Sequence, residues 1–528
     1  MAQEKGYVSA SLESTNHLYS EDKVNGFTPS DQPQLGEDGI YASNNYLKVD
    51  YYKGRFSAGT QLEGYFPYLV GYPTNLNGMA LSNLYLNWRD DSYSVTVGTF
   101  YDQFGSGLLF RSWEDRTLGL NNAILGARAT YNFKDYLALK VLWGVPRLGT
   151  GNSQDEFFGF GLTNVNVAGA DLSVSLSDIF EMDNISLALE GSVLNKQEAV
   201  SEDLAAKGYQ SNIIGWSGRM NLEYNGFIAK AEHVDAGKQM VNAFNPPTKG
   251  NAQLLELGYN GRGLGVSMTG RRMKHMTQRL CTYNYLGSDN PVNNILSYRP
   301  AMSTQYTYML TTLNPYSPEI GDKIYRNGEI GGQIDAFYNF RRGSRIGGKR
   351  GMKVHANFST YYSLEGSDGT ASELLFRDFS FDVEKQWTKK FKTTVLYSMQ
   401  EYNKVHENNG VYIGLSHIVV ADLLYKFTSK FSTRMELQYL SSKDDQKDWM
   451  AGLIEVNFAP HWSVFASDMY NHGQSKLHYY NGGVSFAMNH LRIAAGYGRY
   501  RAGFICSGGV CREIPSYTGA NLTLTASF

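Results

Sequence analysis

The sequence predicts an all-β protein: a large transmembrane antiparallel up-and-down β-barrel of about 24 strands, within a range of roughly 22–26. Three observations favour this fold. Apolar and polar residues alternate in many short segments, short and long connectors follow one another, and no uninterrupted apolar run reaches the roughly 18 residues of a helical membrane span. Residues 519–528 show the alternation, since Leu522, Leu524, Ala526 and Phe528 fall on one face of an extended strand and small polar residues on the other.

The same alternation recurs along the chain, and charged residues stand in mid-segment on the face opposite the hydrophobic residues. This arrangement is typical of a membrane barrel, in which one strand face meets lipid and the other meets the lumen. Half-buried strands of soluble sandwiches also alternate, but a sandwich does not account for so many segments of one format. The predicted lipid-facing residues include Leu47, Val49, Tyr51, Leu84, Leu86, Trp88, Ala127, Ala129, Tyr131, Phe133, Leu137, Leu139, Val141, Trp143, Leu187, Leu189, Val193, Met220, Leu222, Tyr224, Ile334, Ala336, Tyr338, Phe340, Phe379, Phe381, Val383, Met435, Leu437, Tyr439, Ile454, Val456 and Phe458.

The opposite faces supply the candidate lumen-lining residues. Rings of charge tune ion selectivity in pores, and the acids between 378 and 384 would form a local negative stripe. The alternative, which we prefer, is that these mixed charges solvate a wide lumen and pair with one another. The predicted lumen-facing residues are Lys48, Asp50, Arg89, Arg128, Lys140, Arg219, Glu223, Asp335, Asp378, Asp382, Glu384, Arg434, Glu436 and Glu455.

Connector lengths predict the topology. Short turns with Gly, Asn, Asp, Lys or Pro alternate with longer connectors, the asymmetry of outer-membrane barrels with tight periplasmic turns and long external loops. We expect a single domain over 1–528, built as about 12 hairpins that begin near Tyr7 and end at Phe528. An even strand number places both termini on the periplasmic side. The predicted long connectors are 20–40, 67–80, 102–125, 147–164, 196–211, 237–250, 275–327 and 503–515.

Composition and charge agree with an exported barrel. The chain holds 38 Tyr and 27 Phe, residues that suit strands and membrane-interface girdles. Its 48 basic and 50 acidic residues give a net charge of −2, so nucleic acid is not an expected partner. The residues from Met1 to Lys5 resemble a mature end after signal removal, and we expect no plug domain before the first strand.

The segment 101–120 is the most distinctive stretch between strands. Glycines are followed by Arg-x-x-Glu-Asp-Arg and then by apolar residues, and opposed charges this close can pair in an enclosed loop. We interpret it as a loop folded into the barrel mouth, acting as a constriction or docking latch. An ordinary external loop with local salt bridges remains the alternative. The residues of this candidate site are Arg111, Trp113, Glu114, Asp115 and Arg116.

The second long loop, 275–327, is rich in tyrosine. Its rings could stack on sugars or on a partner protein, but a self-packed cap over the mouth is the interpretation that we prefer. The tyrosines concerned are Tyr283, Tyr285, Tyr298, Tyr306, Tyr308 and Tyr316.

Cysteines and histidines complete the inventory. Cys506 and Cys511 stand in a short glycine-bearing loop that could close a disulfide in an oxidising compartment, with two free thiols as the alternative, and Cys281 has no evident partner. The scattered histidines offer no metal-ligand spacing and no catalytic triad that the sequence can single out. We therefore expect no metal, no cofactor and no enzymatic activity.

Part of the chain resembles a known family. The tyrosine-rich first strands, the Gly-Ser-Gly-Leu-Leu-Phe-Arg-Ser-Trp-Glu-Asp-Arg-Thr-Leu-Gly-Leu segment at 105–120 and the terminal Phe528 together resemble an uncharacterised outer-membrane β-barrel family of the Bacteroidota, a domain of unknown function. The resemblance implies the barrel and its compartment, and carries no known activity.

Two functions from different classes follow. The first is a porin-like channel for the passive passage of small solutes, narrowed or gated by inward-folded loops, because barrels of about 16–18 strands already enclose an aqueous channel. The second is a non-conducting structural subunit of a multi-protein outer-membrane complex for assembly, secretion or uptake, which docks partners through its loops. Outer-membrane lipid is the expected partner in both cases, and other envelope proteins are expected in the second.

Overall fold

The computed structural model of the protein describes residues 5–150, 158–239, 247–276, 295–304, 306–313, 328–365, 372–406, 410–444, 446–508 and 510–528. Within these residues, two short α-helices, Leu176–Ile179 and Glu202–Ala206, and three 3-10 turns, Pro29–Asp31, Met309–Thr312 and Gly348–Arg350, accompany the strands. Among the described residues, none of the helices is long and apolar enough to cross a membrane.

The main body is a closed antiparallel barrel of 24 strands. Closure is made by the first and last strands, which pair from Ser11 opposite Ser527 to Ser20 opposite Thr518. The predicted fold class is thereby confirmed. In chain order the barrel strands, β1 to β24, are Tyr7–Ser20, Tyr41–Lys53, Phe56–Tyr65, Gly78–Arg89, Tyr93–Phe100, Ile124–Phe133, Leu137–Pro146, Asn166–Ser175, Ile185–Gln197, Asn212–Tyr224, Phe227–Gln239, Thr248–Gly261, Leu264–Lys274, Glu329–Phe340, Met352–Ser363, Leu374–Gln386, Phe391–His406, Gly410–Lys426, Phe431–Ser442, Trp449–Phe458, Trp462–Asn471, His478–Met488, Leu491–Tyr500 and Tyr517–Ser527.

Short additional strands lie in the connectors. Within 101–123, Gln103–Phe104 pairs with Phe110–Arg111 and Glu114–Asp115 pairs with Leu120–Asn121. The last connector contains a hairpin of two five-residue strands. These strands are Gly503–Ser507 and Val510–Ile514. In another connector, Phe158–Gly159 forms a short parallel pairing with Met79–Ala80 of β4.

The alternation places hydrophobic residues on the barrel exterior. Leu86, Trp143 and Leu437 are 54%, 57% and 53% exposed, whereas the inward-facing Leu142 and Leu194 are buried. An exterior of this kind suits lipid, because apolar side chains outside the barrel would otherwise meet water.

The connectors differ between the two ends of the barrel. One end carries the predicted tight turns together with two longer ones, 176–184 and 341–351, and β1 begins and β24 ends there. The other end carries the long connectors as far as 275–328, and then 501–516. Between these, the connectors 407–409, 443–448 and 472–477 are shorter than the predicted asymmetry requires. For 407–409 the reason is that β17 and β18 run for 16 and 17 residues, so that the hairpin takes up chain that a loop would otherwise hold.

Aromatic rings form a band on the strands near the short-turn end. Successive rings contact one another across β17 to β22, as interface girdles do in membrane barrels. The contacts are Phe391–Tyr425, Tyr425–Phe427, Phe427–Phe431, Phe431–Phe458 and Trp462–Phe486, with centroids 4.7–6.3 Å apart.

Candidate functional site: two loops folded into the barrel

The connector 101–123, which we name the first insert, packs its apolar residues inside the barrel. Phe104, Leu108, Leu109 and Phe110 are at most 1% exposed. They form one cluster with inward-facing residues of the wall, and burial of this much apolar surface is what stabilises the inserted position. The wall residues of the cluster include Ile124, Leu142, Val167, Leu194, Val234, Leu254 and Met273.

A glycine bend brings the first insert against charged wall residues. Gly105 has a φ of +52°, and a Cβ there would lie 2.5 Å from Cδ of Arg219. The following Ser106 donates its backbone N–H to Glu232 Oε2 at 3.2 Å. The positive φ favours glycine here, and a larger residue would also have to displace the side chains of Arg219 and Glu232.

Ion pairs fix the start of the first insert. Asp102 accepts from Arg128 Nη1 at 3.2 Å and from Lys140 Nζ at 2.5 Å, and its side chain is only 4% exposed. Two predicted lumen-facing cations therefore hold one insert carboxylate. A carboxylate bonded by two cations in so enclosed a position contributes more than a surface ion pair would.

The end of the first insert reaches wall strands that precede its own hairpin. Arg116 donates to Glu13 Oε2 of β1 at 2.7 Å and to Gln61 Oε1 of β3 at 3.2 Å, and its guanidinium lies 4.4 Å from the ring centroid of Tyr46. Glu114 accepts from Gln61 Nε2 at 2.7 Å. The insert thus contacts wall strands on both sides of its own hairpin.

Asp115 has a local role. Its Oδ1 accepts from the backbone N–H of Thr117 at 3.0 Å and from the Thr117 hydroxyl at 2.6 Å. These bonds shape a turn rather than contact the wall.

The described parts of the second long loop, 295–304 and 306–313, form a second insert that follows the inner wall. Arg271 of β13 donates to Pro300 O at 2.6 Å, and Thr304 donates to Asp335 of β14 at 2.9 Å. Further along, Gln438 of β19 accepts from the backbone N–H of Leu310 at 3.0 Å. The second insert therefore crosses the wall from β13 to β19.

Tyrosines of the second insert bond to wall carboxylates. Tyr306 donates its hydroxyl to Asp382 at 2.9 Å, and Tyr308 reaches Asp422 at 3.4 Å. Desolvation and the neighbouring carboxylates raise the pKa of Tyr308 to about 12. Both hydroxyls remain protonated donors at neutral pH, which favours the self-packed interpretation for these two residues.

Beneath Tyr306, His355 of β15 lies between two carboxylates. Its Nε2 is 2.7 Å from Asp335 Oδ2 and its Nδ1 is 2.7 Å from Asp382 Oδ2. Sequence analysis placed both aspartates in the lumen but missed the histidine, because β14, β15 and β16 bring the three together only through their register. The negative charge of the predicted stripe at 378–384 is therefore partly compensated by neighbouring side chains, since Glu384 also pairs with Lys392 at 2.9 Å.

The two inserts are joined to each other. Tyr298 donates its backbone N–H to Gly107 O at 2.8 Å, and Asn122 donates to Ile295 O at 2.6 Å. Arg111 stacks between aromatic rings, with its guanidinium 4.0 Å from the centroid of Tyr298 and 5.3 Å from that of Trp113. Together the inserts make one connected body inside the barrel.

The hairpin of the last connector closes over this body. Arg512 donates to Thr117 O of the first insert at 2.9 Å and to Gly71 O at 3.0 Å. Val510 packs with Trp113 and Leu118. The two inserts and the last connector therefore form one body at this side of the mouth, and Arg512 also joins it to the connector 66–77.

The other predicted lumen residues lie along the same wall. Lys48 and Asp50 pair at 3.3 Å, Arg434 bonds Asp422 at 2.9 Å and also pairs with Glu436, and Arg219 pairs with Asp171 and with Glu190. The remaining four have other surroundings: Glu455 accepts from Asn457, Asp378 is buried opposite Gln400, and Arg89 and Glu223 are exposed.

A buried ion pair escaped the sequence analysis. Arg147, just after β7, pairs with Glu63 of β3, and both side chains are 1% exposed. β3 and β7 are not neighbours, so this pair ties two separate parts of the wall together. In the sequence, Arg147 is a charged residue at the end of a predicted strand, and nothing near it indicates Glu63 as its partner.

The two cysteines of the last connector lie in its hairpin. Cys506 lies opposite Cys511, and Cys511 is disulfide-bonded. We expect neither thiol to react with an alkylating reagent before reduction, as mass spectrometry of the unreduced protein would reveal. Alkylation of both residues without reductant would contradict the pairing.

Replacement of Arg111 tests the contact between the inserts. A cation stacked on an aromatic ring contributes about 1 kcal/mol, so Arg111→Ala is expected to increase the frequency of current fluctuations in a bilayer roughly fivefold. Lys207→Ala, on the exposed connector 198–211, is the matched control. Equal fluctuation rates in the two variants would contradict a joining role for Arg111.

Other candidates fall outside the described residues. These are Tyr283, Tyr285, Tyr316 and Cys281. Among the residues that are described, no group of three or more His, Cys, Asp and Glu side chains could hold a metal ion.

Comparison with known proteins identifies the family. The model of a family of unknown function, DUF6029, matches residues 1–528. The chain belongs to this family. No curated protein matches it.

Solved structures resemble this DUF6029 chain only distantly. The siderophore receptor PirA of Pseudomonas aeruginosa has a TM-score of 0.43 at 8% identity, over 100% of this chain and 81% of that one. The P pilus usher (PapC) translocation pore has a TM-score of 0.38 at 9% identity, over 98% and 99%. A mutant Rh. blastica porin has a TM-score of 0.28 at 15% identity, over 65% and 100%.

Proposed function

We propose that this DUF6029 protein is an outer-membrane channel for the passive passage of small solutes, with a bore narrowed by the two inserts. The observation that carries the proposal is the partial exposure of charged side chains on the inner wall. Lys48, Arg434 and Glu384 are 39%, 34% and 45% exposed. Ionised side chains at this exposure on an inner wall indicate that water reaches them, because burying a charge away from water costs free energy.

The inserts are suited to limiting the width of the passage through the barrel. Hydrogen bonds fix both inserts to the wall, ion pairs add to them in the first insert, and each insert buries apolar residues against the wall. Constrictions of this kind decide which solutes cross a pore, by size and by the charges that line the passage. Here the lining charges have both signs, which favours small neutral or weakly charged solutes.

Orientation follows from the connectors. Membrane barrels of the bacterial outer membrane keep short turns in the periplasm and long loops outside. The first strand begins and the last strand ends at the short-turn end, so we infer that both termini are periplasmic and that the inserts enter from the external side.

Solute passage is measured by the swelling of liposomes that contain the purified protein. We expect swelling with small sugars and a decline as the sugar grows, because the inserts limit the bore. Empty liposomes give the baseline. Swelling no faster than this baseline for the smallest sugar would contradict the channel.

A second candidate function rests on a different observation. Three connectors join into one packed body at one side of the mouth, and such a body could present a docking face as a structural subunit of an outer-membrane complex. A barrel that passes no sugar and co-purifies with one partner in fixed ratio would favour this function.

A further inference from the structure

The short-turn end of the barrel carries a basic turn that the proposed function does not use. The connector 341–351 contains Arg341, Arg342, Arg345, Lys349 and Arg350, and no acidic residue occurs between Asp335 and Glu365. Arg341, Arg342 and Arg345 are exposed. In the part of the chain that the structure describes, none of the five pairs with an acidic side chain.

The turn is held in shape by its neighbour. Lys385 of β16 donates to Ile346 O at 3.0 Å and to Gly347 O at 2.7 Å. Ser344 accepts from the backbone N–H of Gly347 at 2.9 Å. Lys385 therefore bonds to the backbone of the turn, while Arg341, Arg342 and Arg345 remain exposed to a further partner.

Aromatic residues place the turn at the membrane interface. Tyr338 and Phe340 contact each other with centroids 4.8 Å apart, directly before Arg341. In the next two turns of the same end, Trp387 and Phe427 are 58% and 45% exposed. Aromatic side chains of this kind lie at the level of lipid headgroups, so the arginines that follow them lie where lipid phosphates do.

Neighbouring turns add further cations and an apolar anchor. Lys389 and Lys430 are exposed in the two adjacent turns at this end. Ile346, at the tip of the basic turn, is 55% exposed. Cations surrounding an exposed aliphatic residue suit a membrane surface better than they suit an acidic protein, because the aliphatic side chain can enter the lipid while the cations meet phosphate.

We propose that the turn 341–351, together with Lys389 and Lys430, binds the phosphate groups of anionic phospholipids in the leaflet at the short-turn end. Arginine suits this role because its planar guanidinium donates two parallel hydrogen bonds to phosphate oxygens. The contact fixes the depth and tilt of this side of the barrel in the membrane. It is independent of whether the lumen conducts.

The test is native mass spectrometry of the full chain, titrated with phosphatidylglycerol and, separately, with phosphatidylcholine. We expect bound phosphatidylglycerol to be retained preferentially, and the variant Arg341→Gln/Arg342→Gln/Arg345→Gln to lose roughly tenfold or more in apparent affinity for it. The matched control, Lys23→Gln/Lys207→Gln/Lys249→Gln, removes three exposed cations from the long-connector end and should bind as the parent does.

Two results would overturn the proposal. One is a parent protein that shows no preference for the anionic lipid, or a preference that survives the arginine substitutions. The other is tighter binding of polyglutamate than of phosphatidylglycerol in detergent, with the same loss in the arginine variant, which would assign the turn to an acidic protein instead.

Discussion

Removal of residues 280–325 is expected to raise the single-channel conductance of the barrel severalfold. This segment contains the second insert, whose contacts run along the wall from Arg271 to Gln438. Once it is absent, the charged wall beneath it faces water and the passage widens, and the current through a pore grows with its open cross-section. The measurement is the current through single barrels in a planar bilayer.

The matched control is a deletion in another connector at the same end. Residues 199–209 include the exposed helix Glu202–Ala206 and lie in the connector between β9 and β10. Their removal should leave the current unchanged. Equal currents before and after removal of 280–325 would show that the second insert does not narrow the passage.

Loss of Arg147 is expected to destabilise the barrel by about 3–5 kcal/mol, because Glu63 is then left charged and buried without its partner. The two side chains are each 1% exposed. Urea unfolding from lipid vesicles, followed by tryptophan fluorescence, measures the free energy of unfolding of Arg147→Ala.

Two further variants separate the buried pair from other causes. Arg147→Met combined with Glu63→Leu removes both charges and should recover most of the stability, since neutral residues of similar volume leave no charge buried alone. Lys48→Ala breaks a partly exposed pair and should cost about 1 kcal/mol or less. A loss in Arg147→Ala no larger than that in Lys48→Ala would contradict a buried tie between β3 and β7.

The barrel could be predicted from the sequence because its main signals are local. Strand alternation is set within a few residues, as in Leu522 to Phe528, and turn chemistry marks the hairpins. Two connectors at the short-turn end, 176–184 and 341–351, lack compact turn sequences and were not predicted as turns. The strand number and the positions of the first and last strands agree with the structure.

The candidate site was harder to predict because its contacts are distant in the sequence. An inward fold was proposed for the first insert from Arg111 to Arg116, but the partners Glu13 and Gln61 lie far away in sequence and meet it only through closure of the barrel. His355 shows the same limit, since only register brings it between Asp335 and Asp382.

The path of the second insert was not predicted either. Its apolar residues Leu296, Leu310 and Leu313 are at most 5% exposed. Their presence in a polar loop is the feature of the sequence that indicates burial. The tyrosine content led us to prefer a self-packed cap over the mouth, with ligand stacking as the alternative, and neither interpretation included a path along the inner wall. Apolar residues that recur in a long polar connector are therefore a sign of burial inside a barrel.

The current carried by single copies of the intact chain in a planar bilayer tests the central claim most directly. A wet lumen narrowed by two anchored inserts predicts small, stable current steps, with weak ion selectivity because the lining charges have both signs. A bilayer that stays silent while protein incorporation is verified would contradict the channel, and the joined connectors at the mouth would then be the surface to test for a docked partner.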